Sequence, residues 1–169
     1  EARREALEGL RARWEDPSAR PGLGRELLDT LEDGRAKIFL IWRGLSLRSR
    51  LPRLFLEGAY RPLEASGARA EHVTAFARTG PEGVAVCAAP RWFHRLTSGA
   101  TELPLGSGVW EDTVVGIPEG PERGPFTDAL SGASIEARDT ESGPAIAAAD
   151  LFARFPAGLL YRGEDAGET

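Results

Sequence analysis

The sequence predicts an α+β chain in which helices come first and an antiparallel β-sandwich follows. Up to residue 57, apolar residues recur at intervals of three and four, which is the spacing of one helix face. After residue 58, short runs rich in Val, Ala, Ile and Thr alternate with Gly and Pro, a pattern typical of antiparallel strands and turns. The 169 residues suffice for one such domain and a helical segment.

Three helices and one short helical turn are expected before residue 58. The first two cover residues 2–14 and 24–31, with their apolar residues on one side. The third covers residues 35–49 and is apolar nearly all round in its first half, as expected for a helix packed on several sides. Few helical partners are present, so its main packing surface is expected in a missing domain. The turn covers residues 51–58.

The second part of the chain is expected to be mainly strands and turns. Helix competes with strand at residues 91–96 and 147–155, and the three prolines of residues 116–125 indicate a loop. The predicted domains are a helical segment at 1–57, a β-sandwich at 58–162 and a tail at 163–169. The expected strands are 71–78, 83–89, 113–117, 134–138 and 158–161.

Composition and charge exclude several classes of function. Residues 1–57 carry 12 basic and 10 acidic side chains, whereas residues 58–169 carry 9 basic and 16 acidic ones. A nucleic-acid partner is not expected, because phosphate binding needs clustered positive charge. The longest strongly apolar run, residues 38–42, is far too short to span a bilayer, so no membrane partner is expected. A cytoplasmic location is the default expectation.

Neither the cysteine nor the histidines indicate a metal or a cofactor. Cys87 is the only cysteine and lies in an apolar run, where a small buried residue is expected. His72 and His94 have no second ligand at the spacing of a metal site, so both are expected to be structural or surface residues. No phosphate-binding loop, dinucleotide fingerprint or nucleophile elbow occurs.

The acidic residues do not indicate a catalytic pair. Glycoside hydrolysis needs two carboxylates held about 5 to 10 Å apart on a rigid scaffold. Glu111, Asp112, Asp128 and Asp150 lie in turns or helix starts, where acidic residues commonly cap and solvate the chain. No catalytic residue is therefore predicted.

Two tryptophans are candidates for stacking against a sugar ring. Trp110 follows a glycine-rich stretch and is expected to be partly exposed, and Trp92 is the second candidate, in the segment Arg91-Trp-Phe-His-Arg. The alternative is that both are packed, as isolated aromatic residues usually are.

Several motifs resemble the maltooligosyl trehalose synthases of the α-amylase superfamily, glycoside hydrolase family 13. Pro-Arg-Leu-Phe and Gly-Ala-Tyr-Arg-Pro-Leu, within residues 52–63, resemble the junction between the catalytic barrel of that superfamily and its C-terminal β-domain. Ser131 stands where the family pattern has Thr. The further matching segments are Asp-Gly-Arg-Ala-Lys at 33–37 and residues 70–78, 90–91, 110–113 and 128–132.

The resemblance implies the non-catalytic C-terminal part of such an enzyme. The family converts the reducing-end α-1,4 bond of a maltooligosaccharide to the α,α-1,1 bond of trehalose by a retaining mechanism. Its carboxylates lie before this segment, so the chain alone is expected to be inactive and its partner is the remaining catalytic barrel, through which it meets the maltooligosaccharide. Trp42, Leu45 and Phe55 are expected to face that barrel.

The resemblance also makes Arg35 and Lys37 candidate substrate-side contacts. The alternative for them is a salt-bridged turn at the start of a helix. Two other functions remain open for the whole chain. One is a free-standing β-sandwich that binds α-glucan, and the other is the C-terminal domain of another α-amylase relative, such as a trehalohydrolase.

Overall fold

A computed structural model describes residues 1–118 and 124–163. Four helices precede the first strand, and a 3-10 turn at Leu31–Asp33 separates the second from the third. The α2 helix begins earlier than predicted, because a proline in the first turn of a helix breaks no hydrogen bond. The helices are α1 at Ala2–Glu15, α2 at Arg20–Asp29, α3 at Arg35–Arg50 and α4 at Pro52–Leu56.

Strands follow, in two antiparallel sheets. The six-stranded sheet has the order β1-β3-β4-β10-β6-β7 and the four-stranded sheet the order β2-β5-β9-β8. The strands are β1 Ala59–Leu63, β2 Ala65–Ser66, β3 Val73–Gly80, β4 Gly83–Pro90, β5 Val114–Gly116, β6 Phe126–Asp128, β7 Ser134–Ile135, β8 Arg138–Thr140, β9 Gly143–Ala147 and β10 Gly158–Arg162.

Three short helices lie among the strands. They are α5 at Phe93–Leu96, α6 at Ser107–Trp110 and α7 at Ala148–Leu151. In both segments where the sequence left helix and strand in competition, the structure has a helix, although β9 leads directly into α7. The predicted α+β class, with helices before antiparallel sheets, is confirmed.

The two sheets share one hydrophobic core. Val86 and Leu160 of the larger sheet and Val115 and Ile146 of the smaller sheet belong to the same buried cluster, which also contains Trp110. Since every paired strand is antiparallel and alternate residues face inward, this arrangement is that of two sheets packed on a common interior.

The helices pack on the β-domain through two further clusters. Leu27 and Phe39 share one with Leu130 and Phe155, and Leu54 shares the other with Ala85 and Ala129. The change from helix to strand falls between Leu56 and Ala59. Because the helices and the β-domain share these hydrophobic clusters, the packing does not mark a boundary between two domains. The domain boundaries predicted at 57 and 162 therefore remain predictions.

The packing of α3 differs in part from the expectation. Ala36, Phe39 and Leu47 are buried within the chain, so one face of the helix has its neighbours here. On the other side, Ile41 and Leu45 are 52% and 58% exposed. Only the second face is left without apolar neighbours among the described residues.

Two of the residues expected to face a missing barrel are partly buried against this chain. Trp42 is partly buried and meets Trp14 edge-on, with ring centroids 6.4 Å apart. Phe55 packs against the cluster of Leu54 and Ala85. The outward orientation of Trp42 and Phe55 was what the resemblance implied, whereas their positions on apolar helix faces agree with packing within the chain. Leu45 is exposed, as an outward residue would be.

Parts of two predictions lie outside the described residues. The loop predicted at 116–125 includes residues 119–123, and the tail predicted at 163–169 includes residues 164–169. Among the described residues, every helix falls short of the length and apolarity needed to cross a membrane.

Candidate ligand-contacting sites

Three of the four acidic residues weighed as catalytic candidates hold the fold together. Glu111 Oε1 accepts a bond from Arg69 Nη2 at 2.7 Å, and Asp150 Oδ2 accepts one from Arg138 at 2.9 Å. Asp112 Oδ1 accepts the backbone N–H of Ala68 at 2.9 Å. Each carboxylate is therefore already engaged in an ion pair or a turn.

Asp128 is the buried member of the four. It is 8% exposed, and its carboxylate accepts the Ser131 hydroxyl at 2.5 Å and the backbone N–H of Leu130 at 2.9 Å. Burial raises the pKa of this carboxyl, although the two hydrogen bonds and the charges of Arg154 and Arg43 act in the opposite direction. The carboxylate closes the turn after β6.

No metal centre is formed by the described residues. Residues 1–118 and 124–163 contain no group of three or more His, Cys, Asp or Glu side chains placed to hold an ion. His72 is buried, and its Nδ1 lies 3.2 Å from the carbonyl oxygen of Arg91. His94 is exposed on α5. Burial raises the pKa of the Cys87 thiol to about 11, so the thiolate needed for reaction is scarce near neutral pH.

The predicted sugar-stacking role of Trp110 is wrong. The residue is 0% exposed, its Nε1 donates to the carbonyl oxygen of Pro104 at 2.9 Å, and its ring lies 4.7 Å from that of Phe152. The glycine-rich stretch before it does not form an open loop but begins α6 at Ser107–Trp110. Both the indole face and its N–H are used inside the core, so neither can reach a sugar.

Trp92, the second candidate for stacking against a sugar ring, is exposed, as that role requires. It is 53% exposed, and the Arg91 guanidinium lies over its ring, 4.3 Å from the centroid. Arg91 is itself held by the bond from its Nε to the carbonyl oxygen of Glu71 at 2.7 Å. The backbone of Trp92 has φ 55°, a conformation that is uncommon for a bulky residue. The indole is thus fixed at the surface, and a role in stacking remains a prediction.

Arg35 forms the salt-bridged turn that was the alternative to a substrate contact. Its guanidinium donates to Asp33 at 2.7 Å, Glu26 at 3.2 Å and Thr30 at 3.1 Å. These bonds raise the pKa of Arg35, with Asp33 as the largest cause. Lys37, by contrast, is exposed and its side chain makes no hydrogen bond or ion pair within the part of the chain that the structure describes.

One cleft in the structure was not predicted. It lies between α2, the turn after β6 and residues 153–155, and Asp128 is among the residues that line it. Together with Leu105, these make four separate parts of the chain, which carry no shared motif. No local signal in the sequence points to it.

The fold and its polar residues define a class of protein region. Helices join a two-sheet domain, and the carboxylates weighed for chemistry serve turns and ion pairs. The class is an α+β region made of helices and a two-sheet domain, and comparison with known proteins shows which proteins contain a similar region. No protein-family model matches this chain.

The particular similarity is to maltooligosyl trehalose synthase. Two curated proteins of Mycobacterium tuberculosis, from strains CDC 1551 / Oshkosh and H37Rv, are each named "Putative maltooligosyl trehalose synthase" and are 35% identical to this chain over 157 residues. The match covers 88% of this chain but 17% of each relative. A solved mutant maltooligosyltrehalose synthase of Arthrobacter ramosus matches with a TM-score of 0.54 and 31% identity, over 86% of this chain and 18% of that one.

The resemblance found in the sequence motifs is therefore confirmed. This chain is similar to one part of maltooligosyl trehalose synthase and spans about one sixth of the length of its curated relatives. Such coverage agrees with a partial or C-terminal region of an enzyme of that kind.

Proposed function

We propose that this chain is the C-terminal, non-catalytic part of a maltooligosyl trehalose synthase of the α-amylase superfamily, glycoside hydrolase family 13. The parent enzyme would convert the reducing-end α-1,4 linkage of a maltooligosaccharide to the α,α-1,1 linkage of trehalose, in the cytoplasm. The observation that carries this proposal is the match that fills 88% of this chain and 17% of each curated relative.

The contribution of this chain to the parent is structural. The exposed apolar side chains of α3, above all Ile41 and Leu45, form a surface suited to burial against the preceding catalytic barrel. Lys37 is exposed on the same helix, and its ammonium group makes no hydrogen bond or ion pair with the described residues. Lys37 remains the proposed contact on the substrate side, whereas the guanidinium of Arg35 is already bonded to Asp33, Glu26 and Thr30.

Product analysis tests the proposal. The complete reading frame that encodes this chain is expressed and incubated with maltopentaose, and the products are separated and assayed for reducing ends. A synthase leaves a non-reducing product of the same size and releases no free trehalose, whereas this chain alone leaves maltopentaose unchanged. Release of trehalose would assign the parent to the hydrolase instead, and unchanged substrate with the complete protein would reject the synthase.

A second candidate function, α-glucan binding by the chain itself, is favoured by Trp92. A fixed indole that is half exposed can stack on a sugar ring. Affinity electrophoresis in soluble glucan measures this directly. Retardation of the chain that disappears in Trp92→Ala but persists in Leu31→Ala, another exposed apolar position, would support a binding module. Equal mobility with and without glucan would exclude one.

A further inference from the structure

A concave site lies where the helices meet the β-domain. The cleft has a volume of about 160 Å³ and is walled on one side by α2 and on the other by the turn after β6 and by residues 153–155. Its apolar lining includes Leu28, Leu130 and Phe155, and all three side chains are buried. Ligand sites in proteins commonly combine such an apolar wall with a few convergent polar groups.

The acceptor in this cleft is Asp128. Two hydrogen bonds from the turn engage its carboxylate, those of Ser131 and Leu130. An ionised carboxylate has about four acceptor positions, so about two remain for a ligand. Since the side chain is more than nine-tenths buried and lines the cleft, a donor group placed in the cleft can use them.

The donors are arginines at the rim. Arg20 uses its Nε to donate to the carbonyl oxygen of Trp14 at 2.7 Å and packs over that indole, 4.9 Å from its centroid. Its position is thereby fixed. Arg154 is exposed, and its side chain makes no hydrogen bond or ion pair with the described residues. The guanidinium of Arg154 is close enough to Asp128 for its charge to lower the pKa of that carboxyl.

Three arginines and one carboxylate line the cleft, a combination that suits a neutral ligand able both to donate and to accept hydrogen bonds. An anion would be drawn by the arginines but would face the buried carboxylate of Asp128, and a cation would face Arg20, Arg25 and Arg154. A sugar suits both kinds of group, because each hydroxyl is a donor and an acceptor while the ring presents apolar C–H bonds.

The geometry points to a saccharide site in which one glucose-sized unit lies between α2 and the turn after β6, with hydroxyls bound by Asp128 and Arg154. Trp92 is not among the residues that line this site, and the site binds sugar without any part in catalysis. The choice of an α-glucan as its ligand rests on the proposed function, whereas the choice of a neutral sugar rests on the lining alone.

Nuclear magnetic resonance on the isotope-labelled chain tests the site. Maltose, glucose and inorganic phosphate are titrated separately, and the amide signals of Gly24, Ser131 and Ala153, which line the cleft, are followed. Saturable shifts of these signals with maltose or glucose, and none with phosphate, are expected. Arg154→Ala should weaken sugar binding about tenfold, the effect of losing a charged hydrogen-bond partner.

Two further variants separate the site from a general loss of structure. Asp128→Asn keeps the shape of the side chain and an acceptor for the turn, and should also weaken sugar binding about tenfold. Arg48→Ala, an exposed arginine of α3 outside the cleft lining, should bind sugar as the unchanged chain does. Thermal unfolding of each variant shows that it is folded.

Several results would overturn the inference. These are phosphate binding in place of sugar, sugar shifts confined to the surroundings of Trp92, and equal sugar affinity in Arg154→Ala and Arg48→Ala. Such results leave the proposed function standing if the complete enzyme still makes the non-reducing product from maltopentaose. Conversely, loss of that product together with intact sugar binding in the cleft would reject the proposed function alone.

Discussion

At the scale of single residues, the tryptophans show how exposure decides their roles. Trp110 and Trp92 both lie in short polar or glycine-containing segments, yet one is in the core and the other at the surface. The difference arises from partners distant in sequence, since Trp110 packs against Phe152 and Trp92 lies between Arg91 and His72.

Truncating these two tryptophans should therefore have very different costs. Trp110→Ala leaves a large cavity in the shared core and an unpaired carbonyl at Pro104, and should lower the free energy of unfolding by about 3 to 5 kcal/mol. Trp92→Ala removes mainly exposed surface and should cost about 1 kcal/mol or less. Urea unfolding of both variants measures the difference, and similar costs would contradict the burial assigned to Trp110.

Asp128 gives a prediction about pH. Since burial raises the pKa of its carboxyl in the folded chain above the ordinary 3.8, the folded state holds its proton to higher pH than the unfolded state. The contribution of Asp128 to stability is thus complete below about 3.8 and falls as pH rises through the raised folded value. Asp128→Asn does not titrate, so its stability relative to the unchanged chain should increase over that pH range. Urea unfolding at a series of pH values checks the sign, and a relative stability that decreases would refute it.

At the scale of elements, Arg43 joins α3 to the β-domain. Its Nε donates to the carbonyl oxygen of Ala129 at 2.8 Å, and its guanidinium lies over the rings of Trp14 and Trp42, 3.7 and 5.2 Å from their centroids. Burial, the largest cause, lowers the pKa of Arg43 to about 10, which still leaves it charged near neutral pH. One side chain thereby connects two helices and a turn of the β-domain.

Removing this connection should weaken the attachment of the helices. Arg43→Ala loses a hydrogen bond and two contacts with aromatic rings, and should lower the free energy of unfolding by about 2 kcal/mol. Arg48→Ala, at an exposed position of the same helix, should change it by about 0.5 kcal/mol or less. Hydrogen exchange in α1 and α3 should also accelerate in Arg43→Ala. Equal stability of the two variants would show that Arg43 does not hold the helices.

The elements also show what the sequence could predict. Long periodic segments such as α1 and α3 were placed to within a residue or two, because their apolar faces repeat over several turns. The strand β1 was missed, since it is largely exposed, contains Pro62 and is held by pairing with β3. A pattern within the strand cannot reveal a partner that lies further along the chain.

The ligand-contacting sites were less predictable than the fold. Trp92 is exposed, as its stacking role requires, but the burial of Trp110 depends on Pro104 and Phe152, which no local pattern connects to it. The cleft beside Asp128 combines α2 with residues more than a hundred positions further on. Such a site exists only after the helices have packed on the β-domain.

At the scale of the whole molecule, the chain has an apolar surface that the residues described by the structure leave exposed. Ile41 and Leu45 lie four residues apart on α3, the spacing that puts two side chains on one face of a helix, and both are more than half exposed. The opposite face is packed on α1, α2 and the β-domain. Under the proposed function, this surface is where the preceding catalytic part of the enzyme would pack.

This apolar face should be detectable in the chain by itself. The chain should bind a hydrophobic dye or self-associate. The double variant Ile41→Glu with Leu45→Glu should lose both properties. Its free energy of unfolding should change by about 1 kcal/mol or less, because neither side chain is buried. Ala12→Glu, which adds charge at an exposed position of α1 and not on this face of α3, is the control and should behave as the unchanged chain. In the complete enzyme, the double variant should reduce the yield of folded, active protein, because two charges would enter a packed interface. Two results would show that this face is not an interface with a catalytic barrel. One is a chain that stays monomeric and binds no dye, and the other is a complete enzyme whose yield of folded, active protein is unchanged by the double variant.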